Sequence, residues 1–199
     1  MSATRRSGRR PGESGTREAI LAAARRSFGS AGFVGTTIRG VARTAGVDPA
    51  LVHHYFGTKD GLFSAALELP FDPTELVPRL LGDGPDGLGE RVVRTFLGVW
   101  DSTPGQGRML ALLRSAVTDE RAAGSLRDFL VTAVMGPMAA AASPDRAELR
   151  ATLVASQMVG LAMARYVLRF EPLASAGPDQ LAPALGATID AYLTGPLSC

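Results

Sequence analysis

The chain has 199 residues, 46% of them hydrophobic, enough for a sizeable core divided between a small N-terminal domain and a larger second one. Its single cysteine, Cys199, excludes an intramolecular disulfide and fits a reducing, cytoplasmic compartment. Net charge is only +2, but residues 1–60 carry ten basic and four acidic side chains, net +6, against −4 over the remainder, so the N-terminal end is the one suited to nucleic acid.

Residues 1–15, with four arginines, three glycines and no hydrophobic periodicity, are expected to form a disordered basic arm. They lack the apolar segment of a secretory signal. Such an arm either follows phosphates beside a recognition helix or only solubilises the chain. Thr16 reads as the cap of a first helix, whose stripe of Ile20, Leu21, Ala24 and Phe28 runs to Gly32. Thr36 and Thr37 cap a second helix with Ile38, Val41, Ala42 and Ala45 on one face, and Gly46 ends it. Asp48 and Pro49 then read as a carboxylate cap and a first-turn proline, opening a third helix of about two turns that Gly57 stops. Helix, glycine-containing turn and short helix together make a helix-turn-helix.

In that third helix Val52 and Phe56 point toward a core, Ala50, His53 and His54 away from it, and Leu51 and Tyr55 lie at the border. Small, imidazole and phenol groups on one exposed face suit a DNA groove. Lys59 stands at the positive end of the next helix, where a cation is mildly unfavourable unless an anion such as a DNA phosphate lies close. A plainly solvated lysine is the other reading.

The string TREAILAAARRSFGSAGFVGTTIRGVARTAGVDPALVHHYFGTKDGLFSAAL, residues 16–68, resembles the DNA-binding domain of the TetR family of bacterial repressors. It has the opening helix ending in F-x-x-x-G, the T-[ST]-[IV]-R start of the second helix, A-G-V before the recognition helix, and F-x-[ST]-K-[DE]-x-L after it. The resemblance implies that Thr37 reaches a phosphate, that Arg39 reaches a base edge or phosphate, and that Pro49, Ala50, Leu51, His53, His54 and Tyr55 face the major groove or its rims. Three positions depart from the family pattern: Asp48 replaces the commoner Ser or Thr, His53 the commoner Tyr, and Gly40 a charged residue.

Beyond it, a connecting helix is expected over 58–70, followed by helical stretches at about 72–82, 87–101, 105–117, 119–142, 145–170 and 178–194. No segment alternates with period two, so the second domain, 71–199, is predicted all helix and the whole chain all-α. Gly136 and Pro137 are expected to kink the 119–142 stretch. The resemblance implies a ligand cavity in this domain, and Phe96, Trp100, Met109, Leu113, Phe129 and Met135 are its expected lining; each also suits a plain core position. The 145–170 stretch has apolar residues on several sides, more than one chain's core can cover, so it and 178–194 are read as a homodimer interface of four helices. Gln157, Arg165 and Tyr166 interrupt apolar stripes and, with Leu161, are candidates for recognising a ligand; the alternative for each polar group is a hydrogen bond within the fold, and for Arg165 an Asp or Glu across the dimer. The uncharged run Ala151–Ala164 is 14 residues long, short of the roughly 20 that would cross a membrane.

No nucleophile–base spacing or phosphate loop is visible, and the adjacent His53 and His54 project about 100° apart, which disfavours a shared metal. No cofactor, metal or catalytic residue is therefore expected. These features imply a homodimeric transcription regulator, a repressor that binds a palindromic operator and answers to an apolar or aromatic small molecule. The alternatives are an activator or a regulator without a ligand, a helical enzyme or carrier with an incidental DNA-binding domain, and a nonspecific nucleoid-binding protein.

Overall fold

The computed structural model describes residues 11–197, and among them every regular element is helical. The first ten residues of the predicted arm, and Cys199, lie outside the described residues. The N-terminal unit comprises α1 (Pro11–Gly35), α2 (Ile38–Ala45), α3 (Pro49–Phe56) and α4 (Lys59–Ala66). The second comprises α5 (Pro73–Leu81), α6 (Leu88–Asp101), α7 (Thr103–Thr118), α8 (Glu120–Phe129), α9 (Gly136–Ala142), α10 (Ala147–Ala162) and α11 (Pro178–Thr194), with π-helical segments at Leu130–Met135 and Met163–Val167.

Several boundaries differ from expectation. Helix α1 starts at Pro11 and so takes in residues 11–15, which the sequence places in the arm; a proline there costs no helical hydrogen bond because the first N–H has no partner anyway. Its regular geometry breaks at Gly32 (φ 72°), where the sequence ends the helix. Helix α4 stops at Ala66, short of Pro70, because Glu68 takes a left-handed φ of 54° and the Leu69 N–H turns back to the Ser64 carbonyl. The expected kink at Gly136–Pro137 is a π-helical turn instead. The Gly136 N–H reaches Val131 O, and a Cβ at Gly136 would lie 2.5 Å from that oxygen. Helix α10 gives way to its π-helical segment after Ala162, and the helical path ends at Val167, short of Phe170.

Four phenylalanines join the two units. Phe63 of α4 meets Phe28 edge-on at 4.8 Å and Phe33 at 5.0 Å, and Phe129 at the end of α8 lies 4.6 Å from Phe63 and 5.5 Å from Phe33. Each such pair contributes about 0.5–1.5 kcal/mol beyond its area burial. Ser125 of α8 is buried and donates to the Phe28 carbonyl. Elsewhere α6 and α11 cross with their backbones touching: a Cβ on Gly89 would lie 2.2 Å from Gly186 O, and one on Gly186 2.6 Å from Glu90 N. Asp190 of α11 accepts the Gly89 N–H at 2.6 Å, capping α6 from across that crossing.

Candidate nucleic-acid interface and apolar cavity

The turn between α2 and α3 is built from backbone satisfaction. Thr37 Oγ1 accepts the Gly40 N–H at 3.1 Å, so its hydroxyl caps α2. Gly46 adopts φ 69°, ψ 32°, and the Val47 N–H returns to Ala42 O at 3.0 Å, a Schellman ending that reverses the chain. Asp48 accepts the Ala50 N–H at 2.7 Å and Pro49 opens α3. Asp48 therefore does the capping work of the Ser or Thr commoner there.

Burial then sorts α3 much as its sequence does, except that Leu51, read as a border position, is exposed. Val52 and Phe56 are buried, Ala50, Leu51, His53 and His54 are exposed, and Pro49 and Tyr55 are half-buried. Arg39 and Arg43 of α2 are exposed nearby in the sequence of the same motif. His53 Nδ1 lies 2.7 Å from Gly57 O. A carbonyl only accepts, so Nδ1 carries the proton and Nε2 is the atom left for an outside partner. His54 packs edge-on to Tyr55 at 5.3 Å and keeps its ring exposed.

Lys59, read either as awaiting an anion or as solvated, also has partners within the chain. Its ammonium donates to Phe33 O at 3.1 Å and sits 4.5 Å from the Phe33 ring centroid. The charge thus meets the free carbonyls at the end of α1, in addition to any outside phosphate. Beside it Asp60 is pushed above the usual carboxylate range, chiefly by burial, with Lys59 opposing and Asp72 adding to the rise.

In the second unit an apolar cavity of about 120 Å³ lies between α6, α7, the π-helical segment after α8, and α10. Phe96, Trp100, Met109, Leu113, Phe129 and Met135 all line it, together with Met138 and Met158. The other ligand candidates do not. Gln157 points outward, exposed, on α10; Leu161 is buried in the core; and Tyr166 stacks on Trp100 at 4.7 Å, behind the wall. The polar stripe position of Gln157 is an outer face, because α10 leaves that side open.

Behind that wall sits a polar cluster. The Tyr166 hydroxyl donates to Asp101 at 2.8 Å, and Arg165 lies 3.6 Å from the same carboxylate and donates to the carbonyls of Leu173 and Ala176. Burial, and then the Asp101 hydrogen bond, push the Tyr166 phenol far above its ordinary value, so it stays a donor. Trp100 Nε1 and Arg165 Nε are buried without an acceptor among the described residues. Sequence reasoning missed two further groups. Arg25 and Arg108 both hold Glu68, at 3.1 and 3.4 Å, tying α1 and α7 to the turn after α4. Arg150, buried, binds Asp145 through both carboxylate oxygens and donates to Tyr192 O and Gly195 O. Glu68 and its two arginines, and Arg150 with the carbonyls of Tyr192 and Gly195, are far apart in sequence; only Asp145, five residues before Arg150, is a local partner.

Among the described residues there is no cluster of metal-ligating side chains and no helix long and apolar enough to cross a membrane. Residues 20–66 match the profile for bacterial regulatory proteins of the tetR family, and residues 86–193, more than half the chain, match that for the tetracyclin repressor-like C-terminal domain. The chain belongs to the TetR family. A TetR-family regulator from Streptomyces coelicolor is 43% identical over 94% of this chain and 99% of its own, with a TM-score of 0.47. A transcriptional regulator from Rhodococcus is 26% identical over 91% of this chain and 98% of its own, TM-score 0.43. The transcriptional regulator BetI of Rhizobium meliloti is 49% identical over 51 residues, 26% of this chain and a quarter (25%) of BetI. The likeness to BetI thus spans only a quarter of that protein, whereas this TetR-family regulator matches the tetracyclin repressor-like C-terminal profile over 86–193.

Proposed function

We propose that this TetR-family regulator is a cytoplasmic repressor that binds a palindromic operator as a homodimer and releases it when a small apolar molecule enters the cavity. The observation carrying this reading is the double position of Phe129, which lines the cavity and packs on Phe33 and Phe63 of the DNA-binding unit. Arg108, next to the cavity residue Met109, grips Glu68 after α4 and supports the same coupling. A ligand that favours one packing of these contacts shifts the population of head orientations.

Homodimerisation through α10 and α11 is supported by apolar side chains that one subunit leaves uncovered. Val159 on α10 and Val167, Leu168 and Phe170 beyond it are all more than 40% exposed. Two-fold symmetry places two α3 helices in successive major grooves, roughly 34–36 Å apart. Thr37, Arg39, Pro49, Ala50, Leu51, His53, His54, Tyr55 and Lys59 are the residues proposed at the DNA, with Thr37 and Lys59 also serving the fold. The test is selection of the purified protein on random duplex DNA near physiological salt. Enrichment of an inverted repeat, lost on His54→Ala, supports the reading; binding that collapses with salt and selects no sequence overturns it in favour of nonspecific association.

A further inference from the structure

We propose that the cleft between α1 and α4 of the DNA-binding unit and α7 and α8 of the second unit is a separate ligand site, and that it takes a monocarboxylate with an apolar body through Arg25 and Arg121. The cleft has a volume of about 260 Å³, and an occupant touches both units. Phe28, Phe63, Leu112 and Leu126 give it an apolar floor on which a ring or short hydrocarbon chain can lie. Leu112 and Leu126 also line the apolar cavity, so the two spaces are neighbours, but their chemistry differs. No charged residue lines the cavity, whereas Arg25, Asp119 and Arg121 line the cleft.

Both guanidiniums are open to a ligand. Arg25 is fixed by its own bonds, Nε donating to Ala66 O at 2.8 Å and Nη2 to Glu68 at 3.1 Å, yet its side chain is 45% exposed. Glu68 is shared between Arg25 and Arg108, so it cancels only one of those two charges. Arg121 is exposed and makes no ion pair among the described residues. Asp119, the one acidic residue of the lining, turns Oδ1 to the Arg121 and Ala122 N–H groups at 2.8 and 3.1 Å as the cap of α8. The lining therefore carries two cations against one anion, with an exposed serine hydroxyl, Ser115, beside them. A single carboxylate matches that excess and the planar guanidinium fork, while a second anionic group would meet Asp119. Gly29 leaves the opening clear, since a Cβ added there would meet nothing within 4 Å.

The experiment uses full-length protein with carbon-13 in its alanine methyls, because Ala66 and Ala122 line only the cleft and Ala155 and Ala162 only the cavity. It is titrated at neutral pH and low salt with 3-phenylpropionate and with its neutral near-isostere, 3-phenylpropanamide. The expected result is a saturable shift at Ala66 and Ala122 and none at Ala155 and Ala162, with the acid bound about three- to tenfold more tightly than the amide. Added salt should narrow that margin. Arg121→Gln should bring the acid to within about twofold of the amide. Gly29→Leu, a good helix former that fills the opening, should remove binding of both. Shifts confined to Ala155 and Ala162 put the probe in the apolar cavity and overturn the separate site. Equal affinity for acid and amide, or acid binding unchanged by Arg121→Gln, overturns recognition by the guanidiniums, and the absence of any saturable shift overturns the proposal as a whole. Arg121 is exposed, so its replacement leaves the fold in place for the comparison.

Discussion

Arg150 and Lys59 are two cations that hold backbone carbonyls at helix ends. Arg150 fastens the end of α11 to the start of α10 through Tyr192 O, Gly195 O and Asp145. Arg150→Met should lower unfolding free energy in urea by about 2–4 kcal/mol, the loss of several hydrogen bonds to a buried charged donor. Its partner Asp145 is held below the usual carboxylate range, first by the Ser143 hydroxyl and then by Arg150. A depressed carboxylate stabilises the fold at pH values above its unfolded pKa, roughly 3.9, and that contribution fades as pH falls through the lower folded value. Thermal melts below about pH 4 should therefore fall more steeply for the unmutated protein than for Asp145→Asn. Lys59 supplies a second test. If it serves the α1 terminus, Lys59→Met lowers the melting temperature; if it serves DNA alone, the melt is unchanged and only the salt dependence of operator binding flattens by about one ion. Sequence reading located Lys59 because its own helix terminus makes a cation conspicuous. Asp145 lies only five residues from Arg150, but the two carbonyls that explain its burial, Tyr192 O and Gly195 O, lie 42 and 45 residues away, beyond any local pattern.

Elements were legible where their boundaries are encoded by caps within three or four residues. Asp48–Pro49, Thr58 and Gly46 each act on their own neighbours, and α2, α3 and the start of α4 fall where those residues place them. The end of α4 is different, because Glu68 reaches its left-handed conformation in a turn gripped by Arg25 and Arg108 from two other helices. The Gly136–Pro137 pair announced an irregularity, but its form as a π turn depends on the packing of the whole α8–α9 rod. The α6–α11 crossing is the strictest such dependence. Gly89 and Gly186 carry no signal in their own helices, yet their backbones meet there. Gly186→Ala forces a methyl into Glu90 backbone atoms and should cost about 1–3 kcal/mol in chemical denaturation. An unchanged denaturation midpoint would show that the crossing relaxes freely. The same substitution at Gly160, whose Cβ would meet open space, should be neutral or stabilising in the monomer.

At the scale of the molecule the two units share one aromatic cluster, and its members divide by function: Phe28, Phe33 and Phe63 belong to the head, while Phe129 also touches the cavity. Filling the cavity must either leave Phe129 in place or move a ring on which the α1 and α4 packing rests. The first case gives a pocket without allosteric effect; the second links ligand and operator. Linkage is reciprocal, so coupling appears equally as weaker operator binding with ligand present and weaker ligand binding with operator present. Typical coupling changes affinity about 5–150-fold. Phe129→Leu keeps an apolar side chain at the site but removes the ring contacts to Phe33 and Phe63, worth about 0.5–1.5 kcal/mol each. The variant should melt lower, still bind operator through an unaltered α3, and still bind a small apolar probe such as ethylbenzene, since a cavity wall of methionine and leucine remains. What it should lose is the ratio: ethylbenzene should weaken operator binding several-fold less than in the unmutated protein. Fluorescence anisotropy of labelled operator, with and without ethylbenzene, measures that ratio in both proteins. If the ratio survives in Phe129→Leu and instead falls when Arg108→Ala breaks the grip on Glu68, the coupling runs through α7 and the turn after α4, and the aromatic cluster is structural cement.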